Sequence, residues 1–180
     1  MTMDADFLEA APEAGIKAEA EAHSAPNEAF EQLMASIGHL LYRWHGLETA
    51  LVDEIRRLRL EGGDTGKNLV RVRGSLSERL AEWGALLSLR NRGNRQFAQT
   101  VAELSSQIER LRRTRDLIAR SFAGATEGAD DAEPALFCAD GDLSPPTTDP
   151  RRITLSELRQ ILDQIETCRQ RIPAIEQRTA

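Results

Sequence analysis

Two cysteines, two lysines and three histidines, none beyond His45, are what this 180-residue chain offers of cysteine, lysine and histidine chemistry. Cys138 and Cys168 cannot staple a fold, and no CxxC pair or Cys/His spacing points to zinc. No run of about 18 apolar residues occurs, so no membrane-spanning helix is expected. The N-terminus lacks the basic start and apolar stretch of a signal peptide, which makes a cytoplasmic protein the expectation. No segment alternates apolar and polar residues with period two, so no strands are expected. No motif points to a cofactor or a metal. The length suits a single domain, and an apolar share of 41 %, a little below the usual range of about 45–50 %, implies that part of the chain lies outside the core.

What is present is charge, and it is segregated. Residues 1–31 carry eight acids and one Lys, and residues 127–149 carry seven acids and no base. Between them, 32–126 holds sixteen bases against ten acids, and 150–180 holds six against four. A basic body thus carries two acidic segments. Both are poor in large apolar side chains, so little burial is available to offset chain entropy. Residues 1–26 are therefore expected to be a disordered acidic tail. Residues 124–153, with Pro134, Pro145, Pro146 and Pro150, are expected to be a long acidic loop. Its one apolar patch, Ala135-Leu136-Phe137-Cys138, either docks onto the body or stays free. The segregation fits a helical body with ordinary acidic linkers, or else a basic nucleic-acid surface screened by acidic arms. The use of twenty-one Arg against two Lys reflects codon bias as much as phosphate recognition.

The rest reads as four helices of one domain, three in 27–123 and the last in 154–178. The first runs from Pro26 or Asn27 to Leu60, ended by Gly62-Gly63, with a stripe of Phe30, Met34, Ile37, Leu41, Trp44, Leu51, Ile55 and Leu58. The second runs from Lys67 to Leu89, with Leu69, Val72, Leu76, Leu80, Trp83 and Leu87 inward. Gly74 breaks its first half, and Ser75-Leu76-Ser77-Glu78 reads as a capping box. The third runs from Asn94 to Phe122, with Phe97, Val101, Leu104, Ile108, Leu111, Ile118 and Phe122 inward. The fourth opens at a second capping box, Thr154-Leu155-Ser156-Glu157, and is kinked or ended by Pro173. Four such stripes imply an all-α, antiparallel four-helix bundle.

The first and third stripes are each broken by a single charged residue, Glu48 and Arg115, of opposite sign. An unpaired buried charge is expensive, so the economical arrangement sets them face to face, where losing either would cost about 3–5 kcal/mol. Such a pair either fixes helix register or forms a polar site inside the bundle; alternatively the stripes drift and both side chains reach the surface.

Residues 111–122, LRRTRDLIARSF, resemble the signature helix of the HEPN families (higher eukaryotes and prokaryotes nucleotide-binding), an Arg followed by Asn or Asp and, four to six residues on, a His. Arg115-Asp116 fits its start. WHGLETALVDEI, around Trp44, resembles the first helix of bacterial members, in which a Trp precedes an acid that faces the signature; Glu48 matches that acid. The order of helices agrees as well, over about residues 30–178. The resemblance implies a homodimer in which two copies of the motif meet, and, in active members, metal-independent ribonuclease chemistry. It makes Arg115, Asp116, Arg120 and Glu48 the candidate site residues. The departure is Arg120, which stands where the His belongs. Arginine stays protonated and cannot serve as a base, though it binds phosphate with two parallel donors. His45, one turn before Glu48, is the one substitute in reach. The resulting expectation is a catalytically degenerate HEPN-like protein that binds RNA or a protein partner, in a toxin–antitoxin or defence setting. An endoribonuclease surviving through Arg115 is the enzyme alternative, and a helical scaffold without a nucleic-acid role the other.

Four further features are set aside. Gly62–Asn68 resembles a P-loop only superficially: it has three residues, not four, between Gly62 and Gly66, and follows a helix. Arg90–Arg95 reads as a solvated basic turn, and Arg110, Arg112 and Arg113 as the outer face of the third helix. Neither cysteine has a base or charge partner for nucleophilic work.

Overall fold

The computed structural model describes residues 13–63, 71–120, 122–126, 135–138 and 151–176. Within them the chain is mostly helical, in the order α1 (Glu13–Glu61), α2 (Leu76–Arg90), α3 (Arg95–Arg120), β1 (Phe122–Thr126), β2 (Ala135–Cys138), β3 (Arg151–Thr154) and α4 (Leu155–Ala174). The helices touch in a closed cycle: α1 packs on α2 and α4, and α3 packs on the same two.

α1 begins at Glu13, well before the expected start at Pro26 or Asn27, so part of the stretch expected to be a disordered tail carries helical backbone. The sequence EAGIKAEAEA supplies a reason, since Ala, Glu and Lys are strong helix formers. The buried side chains of α1 are Leu33, Leu40, Trp44, Leu47, Leu51, Glu54, Ile55 and Leu58. With partly buried Ile37, and with Ile55 beside Glu54, they step alternately by four and three from 33 to 58. The expected stripe is corrected in its first half, where Met34 and Leu41 are 41 % and 48 % exposed. Two apolar stripes lie side by side there, and α4 covers the one through Leu33, Leu40 and Leu47. Across that contact Arg43 donates to the Leu162 carbonyl (3.3 Å) and Arg159 to Gln32 (3.5 Å).

α2 starts at Leu76, not Lys67; Leu69 lies outside the described residues, and residues 71–75 are non-helical. Ser75 caps it as the sequence predicts. Its hydroxyl accepts from the Glu78 backbone N–H (3.3 Å), and the Glu78 carboxylate accepts from the Ser75 N–H (2.6 Å). Gly74 makes room for this return: at φ +102°, any Cβ there would sit 2.7 Å from the Glu78 carboxylate. The same device opens α4, where Thr154 and Glu157 exchange bonds of 3.2 and 2.8 Å. Pro173 falls in the last turn, and α4 ends one residue later.

The expectation of no strands is overturned by a three-stranded antiparallel sheet in the order β1-β2-β3. Alternation cannot reveal strands of four or five residues, and β2 buries Ala135, Leu136 and Cys138 together. The apolar patch in the expected loop is therefore docked, as the central strand. Leu136 pairs with Ile153 and Ala135 with Thr154, and both Leu136 and Ile153 join the core. Thr154 is at once the last residue of β3 and the N-cap of α4, so the sheet places the start of that helix. Phe122, expected to close the third helix, instead opens β1 opposite Cys138.

At the C-terminal end of α1 the buried stripe carries its one charged member. Glu54 is 4 % exposed, and its carboxylate accepts from Arg57 Nε (2.8 Å) and Nη2 (2.7 Å). Arg57 also binds Glu61 (2.7 Å) and Glu176 (2.9 Å), and Arg90 at the end of α2 reaches both of these acids. The cluster ties the ends of α1, α2 and α4. It raises the Arg57 guanidinium far above its ordinary pKa, chiefly through Glu54, and lowers the Glu61 carboxyl through Arg57 and Arg90. Because Arg57 remains 39 % exposed, Arg57→Ala is expected to cost about 2 kcal/mol, below the range for fully buried pairs, by stranding the Glu54 carboxylate. In chemical denaturation the double variant Glu54→Leu/Arg57→Met is expected to recover most of that loss.

Candidate functional site

The site predicted from the sequence lies where α3 meets α1. Phe97, Val101, Leu104, Ile108, Leu111 and Ile118 are buried at the spacing the sequence predicts, and Arg115 occupies the same stripe. Its side chain is 25 % exposed. Nη1 lies 2.9 Å from Asp116 Oδ1, and the guanidinium carbon stands 5.0 Å from the centroid of the Trp44 ring. A cation over an indole face is attracted by the ring quadrupole, more strongly as water is excluded. Trp44 is 3 % exposed, so the contact is well shielded.

Arg115 is the end of a longer ladder. The other Asp116 oxygen accepts from Arg112 Nη1 (3.0 Å), and Arg112 Nε donates to Glu109 (2.9 Å). The second Glu109 oxygen accepts from the Ser77 hydroxyl of α2 (2.5 Å). The spacings of three and four residues put Glu109, Arg112 and Asp116 on one face of α3. The Ser77 hydroxyl and then Arg112 hold the Glu109 carboxyl below the ordinary range, and Glu109 raises Arg112 in return. The ladder thus runs from α2 through α3 to α1. Sequence reasoning placed Arg112 on the outer face and missed both Glu109 and the stacking on Trp44, although the i, i+3 and i, i+4 spacing was there to find.

Glu48 does not form the expected ion pair with Arg115. It is half-buried and joins none of the ion pairs among the described residues, while Arg115 uses its sequence neighbour Asp116. The reason is the phase of α1: its inner stripe passes through Leu47, and Glu48 stands at the stripe's edge. Nor does Arg120 converge on Arg115. It is the exposed last residue of α3, and five residues along a helix turn a side chain by about 140°.

His45 faces elsewhere. It lines a groove of about 820 Å³ between α1 and α4 with Tyr42, Arg43, Glu166 and Arg169, and neither Arg115 nor Glu48 borders that groove. Asp116 and Trp44 already engage the Arg115 guanidinium, and among the described residues no imidazole is brought to it to move a proton. Both cysteines are buried, and burial pushes both thiols up, away from nucleophilic use. Among the described residues no cluster of three metal-ligating side chains occurs, and no helix is long and apolar enough to cross a membrane. Most of Gly62–Asn68 lies outside the described residues. Comparison with protein-family models, with curated proteins and with solved structures gives no match to this chain.

Two expectations follow from this geometry. Arg115→Ala and Asp116→Asn should each lower stability by about 1–2 kcal/mol, since each breaks the ladder between α1 and α3. Glu48→Ala should stay within about 0.5 kcal/mol, and a thermal melt of the three variants tests the contrast. In the groove, Arg169 holds the Glu166 carboxyl at about 2 through bonds of 2.9 and 2.6 Å. The contribution of this pair to stability is full above the ordinary value of 4.5 and is lost as pH falls toward about 2. A carboxyl titration by NMR should show Glu166 returning toward its ordinary pKa in Arg169→Ala.

Proposed function

We propose that this chain is a catalytically degenerate HEPN-like protein, a four-helix bundle that binds RNA without cleaving it. The observation that carries the reading is the division among the arginines of α3. Arg112 and Arg115 are held by Asp116, whereas Arg110, Arg113 and Arg120 join no ion pair among the described residues. At 100° per residue these three fall within a sector of about 80° and span about 15 Å, a basic strip along one face of the helix. Guanidinium groups on such a strip suit phosphate oxygens. The loss of cleavage rests on Arg120 at the histidine position and on His45 lining a different groove. In this reading Asp116 positions the Arg115 guanidinium, the role the resemblance gives to Glu48. A homodimer belongs to this reading, supported by the exposed apolar run of Met34 and Leu41 beside partly buried Ile37 on α1.

A second reading, a helical scaffold, is favoured by one observation: Arg115 is stacked on Trp44 and serves the packing of α1 against α3. The two separate in one experiment, run without metal on pooled cellular RNA. Wild type is expected to leave the RNA intact and to bind it in a salt-sensitive way. Arg113→Ala/Arg120→Ala should weaken binding by about tenfold or more and reduce the slope of log K against log salt by about 1.4, for two lost single-strand phosphate contacts. Cleavage by wild type that vanishes in Arg115→Ala would replace this reading with the ribonuclease. Neither cleavage nor binding would leave the scaffold. Cleavage appearing only in Arg120→His would support a site that lacks its proton carrier alone.

A further inference from the structure

On the side of α3 turned toward α4 and the sheet lies a second, smaller cavity, of about 210 Å³. Its lining comes from three elements that the sequence does not bring together: Arg110 and Thr114 from α3, Arg151 from β3, Gln160 and Gln164 from α4. Arg110 and Arg151 join no ion pair among the described residues, although both border the same small space. Two guanidinium groups so placed repel each other, and an anion between them relieves that repulsion. The one carboxylate on the rim, Glu157, is engaged by the Thr154 backbone N–H at 2.8 Å as part of the α4 cap. Arg171 adds to the positive field. Its Nη1 donates to Gln107 Oε1 (3.4 Å), which turns the Gln107 amide nitrogen toward use as a donor.

The floor is apolar. Leu111 and Ile153 are buried core residues, and partly buried Ile161 lies beside them. Above that floor stand the carboxamides of Gln107, Gln160 and Gln164, which donate and accept hydrogen bonds without carrying charge. The cavity is smaller than the usual range of about 300–1,000 Å³ for drug-sized ligands. It suits one compact molecule with a doubly charged head at the arginines and an uncharged body on the floor.

We infer that the groove between α3, β3 and α4 is a binding site for a small phosphomonoester with an uncharged, partly apolar body. The phosphate is gripped by Arg110 and Arg151, its body rests on Leu111 and Ile153, and the three glutamines read its polar edge. The site stands apart from the RNA reading, since Arg151 and the glutamines lie off the basic strip; Arg110 alone is shared, so the test turns on Arg151.

The experiment is calorimetric titration of the full chain at about 150 mM salt with phenyl phosphate, inorganic phosphate and phenol. Phenyl phosphate is expected to bind more tightly than either of the other two. Arg151→Ala and Arg110→Ala should each weaken it by about tenfold or more, because each removes a charge-assisted hydrogen bond. Gln160→Ala should weaken it less, and Arg113→Ala, which removes a cation outside this groove, should leave it unchanged. Arg110 and Arg151 are exposed and without ion pairs, so both variants are expected to melt as wild type does. No binding of phenyl phosphate, affinity unchanged in Arg151→Ala, or an equal loss in Arg113→Ala would overturn the assignment. Inorganic phosphate binding as tightly as phenyl phosphate would also overturn it, by showing that the floor and glutamines recognise nothing.

Discussion

The burial of α1 along positions 33 to 58 is the constraint on which the other elements depend, because every neighbour must cover part of that stripe. α4 and α2 both lie on it, and α3 closes the cycle by packing on both of them. Fully burying side chains such as Leu40, Leu47 and Leu51 is worth about 1.5–3 kcal/mol each, so the phase of the stripe is not negotiable. Rotating α1 to bury Met34 and Leu41 would expose Leu33, Leu40 and Leu47 in exchange. The same phase carries Glu54 inside, and a buried carboxylate is tolerable only with hydrogen-bonded charge around it. Arg57 supplies that, then gathers Glu61, Glu176 and, through them, Arg90. A single charged position on the stripe therefore organises the ends of three helices.

The phase of α1 also decides what Arg115 can be. With Trp44 turned inward, the indole face meets the guanidinium of α3, and the charge is satisfied by Asp116 next door. Glu48 is left at the edge and His45 on the far groove. The arginines of α3 thereby divide into two kinds. Arg112 and Arg115 are internal struts of a ladder that begins at Ser77, and Arg110, Arg113 and Arg120 join no ion pair among the described residues. The proposed recognition of anions falls to the second kind, on the outer strip and, with Arg151, in the small groove beside the sheet.

Much of this was legible along the chain. Both capping boxes could be read directly, because Ser75/Glu78 and Thr154/Glu157 close their bonds within four residues and need no distant partner. The buried face of α3 was legible for the same kind of reason, having one apolar stripe and no rival. α1 was not, since Phe30, Met34, Ile37 and Leu41 form a stripe as regular as the one through Leu33, Ile37, Leu40 and Leu47. Periodicity reports that a helix has an apolar face, and where two are present it does not say which one a neighbour will take. The strands escaped because four residues are too few to show a period, and because β2 is covered by the core and by its neighbours at once.

Helix content, caps and the segregation of charge were thus determined by the sequence itself, through interactions that reach no further than one helical turn. The pairing of Arg115 with Trp44 and Asp116, the burial of Glu54, and the meeting of Arg110 with Arg151 were decided only by tertiary structure. Each depends on the rotation of one element against another, and that rotation is set by the summed burial of whole helices. No single residue or spacing carries it.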